Sequence, residues 1–271
     1  MQTWQVDCYR RPSETDTQGE FWELWICEPS PGTFRHRAVC PQSELSRDWL
    51  LKEFKQFSAL PDRLLVFRPT TLHLLEPVAQ TLGIELIPTR RTPTLKQWIV
   101  DELKQPIALD RPPPLPLPEE LWGDRWRFAT VSAQDLIEGI GDRPIPIKSL
   151  PEDLWPINLG LPSTVSIPGV VIDGDRQSLQ LAQWFADANP ISLNFIPGQP
   201  DGLILESGLS DRWIITTFED SEVRQAGHQY EQRKQQSKGL HFLLIQPDDS
   251  GMTYTGLWLL QPENECTSYS A

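Results

Sequence analysis

The sequence predicts an α/β protein built as two domains, and three observations carry that prediction. The chain opens with three strand-like segments and continues with helical and strand patterns in alternation. Six prolines between residues 105 and 121 then break the pattern. The 271 residues suffice for two ordinary domains.

Thr3–Tyr9 (TWQVDCY) alternates and is rich in aromatic and β-forming residues, so it reads as a strand. The polar SETDTQGE is a turn, Phe21–Cys27 (FWELWIC) a second strand and EPSPG a second turn. Phe34–Cys40 (FRHRAVC) is a third strand whose Arg35 and Arg37 share one face by the two-residue period. Ser43 reads as the N-cap of a helix reaching Phe57, with Trp49, Leu50, Phe54 and Phe57 on its apolar side. Leu64–Phe67 is a short apolar strand. Thr71–Leu82 is a helix closed by Gly83 despite Pro77, and Ile84–Ile87 is another strand. Thr94–Leu103 is a last helix with Leu95, Trp98, Ile99 and Leu103 on one stripe. The order β-β-β-α-β-α-β-α over residues 1–104 is that of the ribonuclease H-like fold. In that fold the strand order is 3-2-1-4-5, with strands one, four and five parallel.

Residues 105–121 (QPIALDRPPPLPLPEEL) read as an extended interdomain strap, because proline fixes φ and removes a donor. Residues 122–262 read as an α+β domain. Its strands are expected at Arg127–Val131, Thr164–Ile172 (pairing interrupted at Pro168), Ile191–Ile196, Gly202–Glu206 and Trp213–Phe218. Helices are expected over Arg176–Ala188 and Ser221–Ser237, the second stopped by Gly239. Leu240–Gln246 and Tyr254–Gln261 form a closing hairpin across PDDSGM, and residues 263–271 a frayed tail.

The net charge of −13 is unevenly spread. Residues 1–104 carry 13 lysines and arginines against 14 acids, whereas residues 105–271 carry 11 against 23. A polyanion surface is therefore expected in the N-terminal domain, and a protein partner on the acidic C-terminal one. No apolar run reaches the roughly 18 residues of a membrane span, and the first residues lack a signal or transit pattern, so a cytoplasmic location without membrane insertion is expected. Cys8, Cys27, Cys40 and Cys266 and the four scattered histidines show no metal-ligand spacing; no metal and no cofactor is expected.

The catalytic search yields no enzyme. A two-metal nuclease of this topology needs acids on strand one, helix one and after strand four. Asp7 and Glu44 suit the first two places, but Arg68 stands where the third acid belongs and opposes metal binding. Asp7 then reads as a carboxylate paired with a neighbouring arginine, and Glu44 as a first-turn acid. Asp175 reads as a helix N-cap and Asp248-Asp249 as part of a turn.

What remains is arginine. Arg10 and Arg11 follow strand one, Arg68 ends strand four, and Arg90 and Arg91 follow strand five. In parallel strands these lie at one carboxyl edge, where planar guanidinium forks suit phosphates. Arg35 and Arg37 extend that surface, Thr70, Thr71, Thr89 and Thr92 add donors, and Trp4, Tyr9, Trp22 and Trp25 offer rings for unstacked bases. Ion pairing of these arginines with nearby acids is the competing reading.

Several stretches resemble the Tab/Atab family of RNA-binding proteins: WQVDCYRRP (4–12), FWELWICEP (21–29), RLLVFRP (63–69), TPTLKQWI (92–99) and GLHFLLIQPDDSGMTYTGLWLLQ (239–261). Within the last, Gly256, Leu257, Trp258, Leu259, Leu260 and Gln261 form the family signature. The resemblance implies an RNA-binding factor that supports translation of a photosystem I reaction-centre mRNA, or biogenesis of the photosystem. The matched motif begins at residue 4, as in a cyanobacterial, cytosolic member without a transit peptide. A protein-interaction scaffold without direct RNA binding is the alternative implied by the acidic half, and a residual metal-dependent nuclease the third.

Overall fold

A computed structural model describes residues 2–11, 21–29, 34–121, 123, 125–262 and 267–270. The chain divides into two compact units, residues 1–111 with 263–271 and residues 112–262.

In the first unit, β1 (Thr3–Arg11), β2 (Phe21–Cys27) and β3 (Arg35–Pro41) form an antiparallel meander. There follow α1 (Arg47–Lys55), β4 (Arg63–Val66), α2 (Pro69–Leu82), β5 (Glu85–Pro88) and α3 (Pro93–Leu103). The sheet order is β3-β2-β1-β4-β5, with β4 parallel to β1 and β5 parallel to β4. Strand alternation divides the side chains between two cores. Trp4, Val6, Cys8, Leu24 and Ile26 pack against Leu50 and Phe54 of α1 and Leu75 and Val78 of α2. Trp25 and Cys27, with Phe67, pack against Leu95, Trp98 and Ile99 of α3, and β6 (Ile107–Asp110) adds Ile107 and Leu109.

The helix starts differ from the sequence pattern for local reasons. Ser46, not Ser43, caps α1: its backbone is extended and its Oγ accepts the Trp49 N–H at 3.2 Å. Ser43 and Glu44 fall in the preceding turn, where the Glu44 N–H donates to the Pro41 carbonyl, so Glu44 does not stand in the first helical turn. α2 and α3 start early, at Pro69 and Pro93, because proline at the first helical position forfeits no hydrogen bond and its φ is preset. Gly83 closes α2 at φ 69°, a left-handed conformation that suits glycine.

The second unit contains β7 (Leu115–Pro116), β8 (Arg125–Ser132), β9 (Ile147–Ser149), β10 (Ser166–Asp173), α4 (Ser178–Ala188), β11 (Pro190–Ile196), β12 (Asp201–Ser207), β13 (Asp211–Phe218), α5 (Ser221–Gln236), β14 (His241–Gln246) and β15 (Gly256–Leu260). One sheet runs β8-β10-β14-β15-β9 and another β11-β12-β13-β7. One face of the five-stranded sheet (Val170, Ile172, Leu243, Ile245, Trp258) packs on Leu181 and Phe185 of α4, Tyr230 of α5 and Leu193 and Leu203 of the second sheet. The other face (Ile167, Val171, Phe242, Leu244, Leu257) is covered by Leu136, Leu154 and Leu161. These belong to irregular chain that includes a π-helix at Asp135–Gly141.

Three expectations change here. The proline-rich segment is not one extended strap: β6, β7 and a 3₁₀ turn at Glu119–Leu121 occupy it. Its apolar residues join cores on either side, Leu109 in the first unit and Leu117 in the second. Pro168 does not interrupt β10 against β8, where it sits opposite Thr130; only the β14 side begins after it, at Gly169. Asp175 is not an N-cap. It lies at φ 41° in a 3₁₀ turn, and Gln177 precedes α4 without a side-chain cap. At the end of the chain, β16 (Thr267–Ser270) pairs in parallel with β6, while Cys266 lies outside the described residues.

Candidate nucleic-acid interface

The carboxyl end of β4 is organised around an ion pair. Asp7 is fully buried and Arg68 is 4% exposed. Arg68 Nε stands 3.2 Å from Asp7 Oδ1 and 3.3 Å from Oδ2. The Thr71 hydroxyl lies 3.0 Å from Asp7 Oδ1 and 2.9 Å from the Cys8 carbonyl, and it accepts the Cys8 N–H at 3.1 Å. The Arg68 guanidinium also stacks 4.0 Å from the Tyr9 ring centroid, with Phe67 at 5.1 Å. Asp7 is thus the arginine-paired carboxylate that one sequence reading expected. Among the described residues no three His, Cys, Asp or Glu side chains gather to hold a metal ion.

Register and alternation sort the other arginines. β4 pairs with β1 only as far as Val6, but the β1–β2 pairing continues to Arg11. Arg10 therefore lies four residues past the last β1–β4 pair, about 13 Å at 3.3 Å per residue. It shares the parity of Val6 and Cys8, the α1 and α2 face, and is exposed. Arg11 ends β1, but its side chain lies outside the described residues. Arg90 is buried, and its carbonyl accepts from Lys96 Nζ at 2.8 Å; Arg91 is exposed. Arg35 and Arg37 fall on the α3 face, exposed. Arg35 stacks 5.2 Å from the Trp98 ring and Arg37 4.6 Å from Trp25. The fold thus places Arg35, Arg37 and Arg68 on one face of the sheet and Arg10 on the other. Thr71 and Thr92 are buried, and Thr89 Oγ1 accepts the Arg91 N–H.

The α3 face is covered at one end and open at the other. Gln5, Asp7, Trp25 and Cys27 are buried beneath α3 and its neighbours, and Gln5 Oε1 accepts the Leu95 N–H at 2.8 Å. Burial pushes the Cys27 thiol up to about 12, so it stays protonated and unreactive. Two residues further along β1 the cover ends. Tyr9 is half-buried, while Phe21 on β2 and Val39 on β3 are 36% and 50% exposed. The one carboxylate in this row is Glu23, opposite both Tyr9 and Val39. Both its oxygens are engaged, one by Arg37 Nη2 at 2.7 Å and one by Trp25 Nε1 at 2.9 Å. Of the rings offered by the sequence, Trp4 and Trp25 are core and Trp22 packs on the α1 and α2 side. The sequence reading missed Phe21 and Val39, although alternation in FWELWIC already puts Phe21 in phase with Glu23 and Trp25.

The second unit buries a polar cluster around His241. His241 is fully buried: its Nε2 accepts the Leu193 N–H at 2.9 Å and its Nδ1 lies 2.8 Å from the Gly239 carbonyl, which it meets as a donor. Burial, with Lys234 adding to it, holds this imidazole well below the usual histidine range, so it is neutral. Lys234 donates to the Leu193 carbonyl, Asn194 and Glu231, and the Tyr230 hydroxyl donates to the Leu193 carbonyl. A cavity of about 450 Å³ lies between the 116–126 segment and β13, lined mainly by Leu117, Trp126, Ile172, Leu181 and Ile214. The signature Gly256–Leu260 is the buried β15, with Trp258 3% exposed, and the Gln261 side chain donates to the Lys238 carbonyl. It builds core.

Two family models match the chain. The N-terminal model of the RNA-binding protein Tab2/Atab2 covers residues 3–102, and the model of its C-terminal domain covers residues 104–261. Among curated proteins, a maize (Zea mays) "Protein TAB2 homolog, chloroplastic" is 26% identical over 284 residues, covering 96% of this chain and 71% of its own length. The Arabidopsis thaliana protein of the same description is 25% identical over 283 residues, covering 96% and 74%.

Proposed function

The chain belongs to the Tab2/Atab2 family of RNA-binding proteins, and from that premise we propose that it holds RNA on the open α3 face of its first unit. The observation that carries this reading is the pair of exposed arginines, Arg35 and Arg37, on the strand that edges the sheet. Arginine binds phosphate through two parallel hydrogen bonds, and guanidiniums already stacked on Trp98 and Trp25 are held in place before RNA arrives. The cellular role that goes with the site is support of photosystem I reaction-centre mRNA translation or of photosystem I biogenesis, in a cytoplasmic, cyanobacterial setting. A ribonuclease H-like arrangement of the first unit fits this reading, with Arg68 in place of a metal-binding acid making it a binding module rather than an enzyme.

The test is a fluorescence-anisotropy titration with RNA from the leader of a photosystem I reaction-centre message, at low and moderate salt beside a scrambled strand. The variant carries Arg35→Ala with Arg37→Gln, the glutamine keeping a donor for Glu23. Salt-sensitive binding weakened by the variant is the expected result, and preference over the scrambled strand adds specificity. Absence of binding even at low salt would replace this reading by the scaffold, a protein partner docking on the acidic second unit.

A further inference from the structure

We infer that the open end of the α3 face takes single-stranded RNA, with unpaired bases stacking on Tyr9 and Phe21; this rests on the RNA-binding reading above. Three observations converge on these two rings. Tyr9 and Phe21 sit on adjacent strands, with Tyr9 opposite Glu23 and Phe21 opposite Arg11, and all four positions share one parity. The rings are therefore diagonal neighbours on one face, about 7 Å apart at their Cα atoms. Among the described residues neither ring belongs to the apolar clusters that α3 helps to build, and Tyr9 meets only the edge of the Trp22 ring at 6.5 Å besides the Arg68 guanidinium.

Charge complementarity chooses RNA over an apolar partner. The Arg68 guanidinium lies against Tyr9, Arg37 stands beside the neighbouring Glu23, and Arg35 continues the row along β3. The two buried carboxylates of this face, Asp7 and Glu23, are neutralised by Arg68 and Arg37. Glu102 of α3 also stands 3.9 Å from Arg37 Nη1, and beyond that pair the face shows to solvent aromatic and aliphatic surface edged by Arg35 and Arg37. Such a surface accepts the flat face of any base while the cations follow the backbone. A duplex hides its base faces, so stacking selects unpaired strands. Val39, opposite Glu23 on the edge strand, extends the apolar floor by one further position.

The experiment compares a labelled twelve-nucleotide unstructured RNA with the same strand annealed to its complement, titrated into the full chain at fixed low salt. It is repeated with Tyr9→Ala, with Phe21→Ala and, to keep the packing without the π face, with Phe21→Leu; circular dichroism checks each fold. Expected are tighter binding of the single strand and a loss of about tenfold for each alanine variant, with Phe21→Leu also weakened. Wild-type affinity in all three variants, or equal binding of the duplex, would overturn the stacking site while leaving RNA binding intact. Loss of binding to every RNA by the unaltered chain would instead overturn the reading on which it rests.

Discussion

Arg68 illustrates how a residue can be right in position and different in role. It stands at the carboxyl end of β4, as the strand pattern requires, but its guanidinium is buried against Asp7 and Tyr9. Substituting it by alanine would leave the buried Asp7 carboxylate without its arginine. Such a loss costs about 3–5 kcal/mol, more than an exposed ion pair contributes. Arg68→Ala is therefore expected to lower the denaturant midpoint of the first unit's unfolding markedly, whereas Arg35→Ala leaves it nearly unchanged. Equal, small effects from both would mean that the Asp7 pair is not a structural centre. RNA-binding losses in Arg68 variants must accordingly be read beside their stability.

His241 carries a pH signature. The folded imidazole accepts the Leu193 N–H and stays neutral, while the unfolded chain titrates near the ordinary value of about 6.5. Below that pH the unfolded state binds one proton more, so stability is retained above about 6.5 and falls by about 1.4 kcal/mol per pH unit beneath it. Urea midpoints between pH 5 and 7.5 should show this decline, and His241→Phe should be less stable at pH 7.5 but flatter across that interval. An unchanged slope in the variant would assign the decline to other groups.

At the scale of elements, the first unit was almost wholly legible. Its strands alternate, α2 and α3 carry proline at their starts and α2 a glycine at its end, and strands adjacent in the sheet follow one another in the chain except where β4 joins β1. The second unit was legible as segments but not as sheets. β10 pairs with β14 across some seventy residues, and β9 and β7 are too short to leave a periodic trace. The face assignments depended on that information too: Arg10 and Arg68 look alike in sequence, and only the register of β1 against both β2 and β4 separates them. One glycine shows how close the hidden pairing is. A Cβ on Gly169 would stand 2.4 Å from the Phe242 ring across the β10–β14 pair. Gly169→Ala must displace that ring or the strands, a change of the overpacking kind that costs about 1–3 kcal/mol. Thermal unfolding by circular dichroism should show a lowered midpoint, partly restored when Phe242→Leu is added; no recovery in the double variant would point to a backbone rather than a ring conflict.

At the scale of the whole molecule, RNA must bind a chain whose net charge is −13. The acid excess lies almost entirely after residue 104, so local cations have to outweigh a repelling background. Screening makes that feasible, since interactions beyond about 8 Å are largely damped at physiological salt, whereas guanidinium–phosphate contacts are not. Each phosphate neutralised on a single strand contributes about −0.7 to the slope of log affinity against log salt. If Arg35 and Arg37 each hold one phosphate and one or two further cations do the same, the slope should lie near −2 to −3. The Arg35→Ala, Arg37→Gln variant should then be shallower by about 1.4 as well as weaker. Weaker binding with an unchanged slope would mean that the substitutions act through the packing of the α3 face and that the phosphates are held elsewhere. The slope therefore distinguishes a contact from a disturbance, which affinity alone does not.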